Sequence, residues 1–201
     1  MTAYLGFDVL ETEHNWRGGS PATLRRKSVR FDPLVGTVNV DDQAGVGAID
    51  MTLSWFLKDR TDQDTFNAFV AARNGRAVPF WVPTWRQDLV LASPALSTDT
   101  ALVIHDQGYT KFQWPNLARR DIALLVPGQA PAYRRITGST DTGTTETLTL
   151  SAATGMALPT GTLISFLLFC RLAEDSVRRV WTARDVADAD LGLYEIPKEV
   201  P

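Results

Sequence analysis

The chain has 201 residues, enough for one sizeable hydrophobic core or two small ones, because the fraction of surface buried on folding rises with length. Its 20 basic and 23 acidic residues are interspersed and leave a formal net charge of -3, so the chain offers nucleic acid no global attractive field. Hydrophobic residues at 44% and charged residues at 21% sit near globular averages, which excludes a wholly disordered chain.

The opening MTAYLGFDVL lacks a basic segment ahead of a long apolar core, and the longest apolar stretch, Leu163 to Cys170, is too short to cross a bilayer. Neither a signal peptide nor membrane insertion is expected. Leu24 to Phe31 and Val35 to Val40 are strand candidates, with Asp32-Pro33 as the turn between them. Between Ala48 and Lys58 the side chains Ile49, Met51, Leu53, Trp55 and Leu57 alternate with Asp50, Thr52 and Ser54. A period of two over this length predicts a half-buried strand.

Thr61 and Asp62 then open a short predicted helix over about 62–73, with Phe66, Phe69 and Val70 on one face and Asn74-Gly75 as its stop. From Gly75 to Leu91 the chain is aromatic and broken by Pro79 and Pro83, hence extended without being a regular central strand. After Leu91 short β-like stretches follow at Ala101 to His105, Ile122 to Val126, Ala132 to Thr137 and Thr145 to Ser151, separated by turn residues. Gly138 to Thr145 reads as a hairpin tip, and Met156 to Gly161 as a turn before the apolar strand Thr162 to Leu172. The ending fits strands near Ser176 to Thr182 and Ala187 to Ile196 better than one helical stripe.

These elements predict a mostly-β fold: a β-sandwich with one packed helix, built from 1–85 and 169–201, carrying an inserted small β-barrel or sandwich over 86–168.

The search for chemistry finds little. His14 and His105 are far apart and lack cysteine partners, so no metal site is expected. Asp41-Asp42 and Glu174-Asp175 are adjacent carboxylates, but neighbours on a strand point to opposite faces and make no acid/base pair. The stretch AGVGAID lacks the remaining residues of either phosphate-binding glycine pattern and precedes a strand instead of following one. No Gly-x-Ser-x-Gly elbow is present, and Cys170, the single cysteine, sits in LISFLLFC as a buried small hydrophobe. No cofactor and no enzymatic activity are expected.

Phe80, Trp81, Trp85 and Trp114 admit two readings: aromatic packing in a core or subunit interface, and a platform for sugar rings. Alternation with proline punctuation favours the first. The basic pairs Arg25-Arg26-Lys27, Arg119-Arg120, Arg134-Arg135 and Arg178-Arg179 read as solvated strand faces.

Three stretches carry a resemblance: ETEHNWRGGSPATLRRKSVRF, DTFNAFVAARNGRAVPFWVPTWRQDLVL and SFLLFCRLAEDSVRRVWTARDVADADLGLYEIPKE. The matches lie at Phe66 to Arg76, Phe80 to Trp85, Arg171 to Asp175 and Glu195 to Pro197. In these the chain resembles the distal-tail and tail-tip (baseplate) proteins of siphophages. That resemblance implies a β-sandwich with one helix that closes into a ring, commonly hexameric, joining the tail tube protein to the tail-tip hub and fibre proteins. It places the protein in the virion tail tip, made in the host cytoplasm. It also implies an outward β domain, for which the alternative function is a carbohydrate-binding module contacting host-surface glycan through Trp85, Trp114 or Tyr109.

Overall fold

A computed structural model describes residues 2–16, 19–32, 37–42 and 45–201. In chain order the strands are β1 (Ala3–Tyr4), β2 (Phe7–Asp8), β3 (Ala22–Arg25), β4 (Ser28–Phe31), β5 (Asn39–Asp42) and β6 (Ala48–Leu57). Helix α1 (Arg60–Ala72) follows, then β7 (Phe80–Pro83), β8 (Ala101–His105), β9 (Asp121–Leu125), β10 (Ala132–Asp141) and β11 (Thr145–Leu150). The chain ends in β12 (Leu163–Leu172), β13 (Arg178–Ala183) and β14 (Val186–Glu195). Strand accounts for 45% of the residues against 11% for helix, so the fold is mostly β, as the punctuated alternation predicts.

The chain divides into two compact units, one of Met1–Thr12, Phe80–Phe169 and Val200–Pro201 and the other of Glu13–Pro79 and Cys170–Glu199. The divisions therefore fall at 79/80 and 169/170, where the sequence suggests 85/86 and 168/169. The aromatic segment and the first twelve residues belong with the inserted unit for a local reason. Trp81 Nε1 donates to the Tyr4 carbonyl at 2.9 Å, and the Phe7 and Phe169 rings meet edge to face at 4.9 Å.

The first unit is a closed barrel. Its sheet runs β12–β9–β10–β11–β8 with every neighbour antiparallel. Leu89 bridges Ile164 of β12 while Leu91 bridges Ile104 of β8, so the chain before β8 seals the two sheet edges. The pairing of β10 shifts register between Ile136 and Gly138. This bulge bends β10 so that its first half pairs with β9 and its second with β11. Inward-pointing Leu102, Ile104, Ile122, Leu124, Leu148 and Ile164 fill the interior. The tip of the β10–β11 hairpin is shorter than the sequence suggests, because β10 continues to Asp141 and the turn closes by Thr142 N–H donating to the Thr145 carbonyl at 2.9 Å.

The β1–β2 hairpin has no signal in the sequence. Its two-residue loop, Leu5-Gly6, has φ of 49° and 83°, the doubly left-handed turn that suits the twist of paired strands. Leucine is a poor advertisement for such a turn.

The main sheet of the second unit is antiparallel, β3–β6–β14–β13, with the last residues of β12 also paired to β14. Along β6 and β14 the odd-numbered Leu53, Trp55, Leu57, Ala187, Ala189, Leu191 and Leu193 are buried. The even-numbered residues stay half-buried or exposed. Helix α1 lies against β6, its Phe66 ring 5.6 Å from the Trp55 ring. The helix expected to pack on this sheet is the layer seen against β6. Helix α1 begins at Arg60, because Asp59 is the cap and its carboxylate accepts the Asp62 N–H at 2.9 Å. It stops where Asn74 and Gly75 take positive φ, and there the Asp175 carboxylate accepts the Arg76 N–H at 3.0 Å.

Leu24 to Phe31 is not one strand. The chain turns at Arg26-Lys27, and β4 leaves the main sheet and, among the described residues, pairs only with β5. Part of the predicted Asp32-Pro33 turn and the start of the Val35 to Val40 strand lie outside the described residues.

Candidate assembly surface

Every residue of the paired strands β4 and β5 is exposed. Direct cross-strand partners share a face, so Val29 and Phe31 lie on one side with Asp41 and Asn39, while Val40 lies on the other with Arg30. Phe31 is 67% exposed and Val40 61%. A two-stranded hairpin with apolar side chains on both faces and no core beneath it is marginal in water by itself. Its β5 margin is acidic at Asp41-Asp42.

A second exposed feature lies on β13, the strand at the far end of the same unit's sheet from β3. Among the described residues β13 pairs only with β14, so its outer row of N–H and C=O groups is a free edge. Val180 is exposed there and Trp181 is 57% exposed, with Arg178 beside them. Arg179 turns the other way, its guanidinium bonded to the Asn67 side chain and over the Phe66 ring of α1.

The aromatic residues singled out in the sequence are placed differently. Phe80 and Trp81 are fully buried and Trp85 is 7% exposed. Tyr109 is also buried, its hydroxyl donating to the Arg119 carbonyl at 3.1 Å. Only Trp114 is partly open, and the Arg120 guanidinium sits 3.9 Å from its ring centroid while the ring packs against the barrel core. Phe80, Trp81, Trp85 and Tyr109 are therefore core rings with no face open to a sugar or a subunit, whereas Trp114 keeps part of its surface accessible.

Trp85 itself has φ of 50°, a left-handed conformation that a bulky residue adopts only when its surroundings impose it. The clamp is Asp88. Its carboxylate accepts the Phe166 N–H at 2.8 Å and the Thr84 hydroxyl, and Ser165 Oγ donates to the Arg86 carbonyl at 2.7 Å. Desolvation by burial pushes the Asp88 carboxyl above its ordinary range, against the lowering effect of those two donors. An acid with a raised folded-state pKa stabilises the fold below its unfolded pKa, and that contribution is lost as pH rises through the folded value. Asp88→Asn keeps an acceptor for Phe166 and cannot ionise, so its melting temperature relative to the parent should rise between pH 4 and pH 7. Parallel scans at both values check this; a difference independent of pH would remove Asp88 as the source.

The basic pairs are largely structural. Arg134 bonds the carbonyls of Ala153, Thr154 and Tyr133, and Arg135 makes a two-pronged pair with Asp121. Sequence alone does not reveal these partners, since they lie on neighbouring strands and loops. His14 is buried in one unit and His105 exposed in the other. Among the described residues no group of three or more His, Cys, Asp or Glu side chains is arranged to hold a metal ion. No helix among them is long and apolar enough to cross a membrane.

No protein-family model matches the chain, and no curated protein matches it.

Proposed function

We propose that the chain is a structural component of a tailed-phage virion, a distal tail protein whose copies close into a ring between the tail tube protein and the tail-tip hub and fibres. The observation that carries this reading is the exposed apolar β4–β5 hairpin in the same unit as the free β13 edge. Two different surfaces that cover one another between copies make a head-to-tail contact, and such contacts generate rings when the rotation closes. The charges agree. The β5 margin brings Asp41, its neighbour Asp42 being already paired with Arg26, and β13 brings Arg178 next to exposed Val180 and Trp181. The sequence resemblance adds the tail tip as the setting.

The test is assembly. Wild-type protein should sediment as a closed multi-subunit species, and Phe31→Asp with Val40→Asp should sediment as a monomer with an unchanged far-ultraviolet circular dichroism spectrum. Both positions are solvent-exposed in the isolated chain, so the fold has no stake in them. A large species that survives the double substitution overturns the hairpin's role. A wild-type chain that stays monomeric at all concentrations counts against the ring.

A further inference from the structure

Helix α1 packs on the face of the main sheet that carries Trp55 and the other odd-numbered side chains of β6 and β14. The even-numbered side chains define the opposite face. Across that face Phe56 on β6, Asp188 on β14 and Val180 on β13 are direct cross-strand partners, and such partners share a face with Cβ atoms about 5 Å apart. Phe56 and Val180 are exposed, and Asp188 stands half-buried between them.

The carboxylates that β6 and β14 bring to this face are unequally engaged. Asp50 pairs with Arg25 at 3.2 Å, and Asp190 accepts the Ser54 hydroxyl at 2.6 Å. Asp188 has no hydrogen-bond or ion-pair partner among the described residues. Whatever covers Phe56 and Val180 therefore takes a lone carboxylate out of water, which is costly unless the cover brings a cation. The occupant needs an apolar side chain and a cation side by side on one face.

The chain carries such an element itself. On the β4–β5 hairpin Arg30 and Val40 are direct cross-strand partners, and both are exposed. Arg30 is engaged by Asp32 at 3.3 Å, two residues along the chain, in an exposed pair of a kind that contributes little. Hairpin and open face each lack cover in a single copy, and one head-to-tail contact covers both. A foreign partner on the open face would leave the hairpin bare. Val180 also makes this face continuous with the free β13 edge.

We propose that the hairpin of a second copy of this chain seats on the Phe56–Asp188–Val180 row, with Arg30 on the Asp188 carboxylate and Val40 packed against the flanking apolar side chains. This contact rests on the ring reading above and fixes which side of the hairpin turns inward and where it lands.

The experiment reads sedimentation of full-length protein at low salt, where facing charges are least screened. Arg30→Asp and Asp188→Arg each set like charges against one another, and each should raise the concentration needed for assembly at least about tenfold. Mixed in equal amounts, the two variants offer each other only opposite-charge contacts, so large species should return. The doubly substituted Arg30→Asp/Asp188→Arg chain should assemble by itself. Return on mixing also shows that both single variants are folded and that the contact runs between copies. Either single variant assembling at the wild-type concentration, or no recovery in both the mixture and the double variant, overturns this contact, while a wild-type ring leaves the assembly reading in place. A wild-type chain that is monomeric at all concentrations overturns both.

Discussion

Replacing Glu146 with alanine is expected to destabilise the barrel by about 3–5 kcal/mol, among the largest effects of any single substitution in this chain. Glu146 projects from β11 into the barrel and is fully buried. One of its oxygens accepts the N–H groups of Gln107 and Tyr109 at 3.2 and 3.1 Å, and the other accepts that of Thr110 at 2.7 Å. These donors converge because Gly108, with φ of 70°, turns the chain into a single π-helical turn, Tyr109–Gln113. The first N–H groups of such a turn have no partner within it. A carboxylate arriving from 36 residues away caps them. Removing it strands three donors, each costing roughly 1–3 kcal/mol where water cannot replace the acceptor. Glu146→Gln should cost less, because the amide oxygen can keep two donors while its NH₂ opposes the third. Urea titration gives the stabilities. Hydrogen exchange gives the location, with fast exchange at the Tyr109 and Thr110 amides of the alanine variant as the expected mark. A loss under about 1 kcal/mol with those amides still protected would mean that something else caps the turn.

The same contrast between local and distant information explains what the sequence makes legible. Strand β6 is readable because Leu53, Trp55 and Leu57 are buried and Thr52 and Phe56 are exposed, so its period of two reflects a sheet with one covered face. Helix α1 is readable from Phe66 and Phe69, both buried. The closing strand β14 follows from the same alternation at Leu191 and Leu193. What resists reading depends on partners far along the chain. Trp81 looks like any surface-capable aromatic until Tyr4, 77 residues away, accepts its indole N–H. The break at Arg26-Lys27 sends β4 into its own two-stranded sheet, and no glycine or proline marks it. The exposed hairpin is legible as strand but not as exposed, since Val29, Phe31 and Val40 read like core residues. A sequence pattern reports apolarity, whereas exposure depends on what a neighbour covers.

A substitution at Asp121 should remove about 3 kcal/mol by breaking a buried ionic network. Asp121 opens β9 and is 1% exposed. Its direct cross-strand partner is Arg135 on β10, whose Nε and Nη2 donate to the two carboxylate oxygens at 2.9 and 2.8 Å. This forked geometry is the strong form of the pair, and the carboxylate beside it raises the Arg135 pKa, its hydrogen bond being the largest cause. The Tyr4 hydroxyl completes the network, donating to Asp121 Oδ1 at 2.7 Å and tying the β1–β2 hairpin to the barrel wall. Asp121→Ala leaves both donors without their acceptor. Asp121→Asn keeps the shape but opposes NH₂ to a guanidinium N–H, so it should rescue only part of the loss, whereas Tyr4→Phe removes one donor cleanly and should cost about 1 kcal/mol. Alkaline titration adds an independent check. Burial, then the Asp121 charge and hydrogen bond, push the Tyr4 phenol well above its ordinary value. The protonated fold is therefore favoured, and this stabilisation is present below the unfolded tyrosine pKa of about 10 and lost as pH rises through the folded value. Tyr4→Phe should accordingly lose less stability than the parent above pH 10, and an identical alkaline decline in the two proteins would detach Tyr4 from the network.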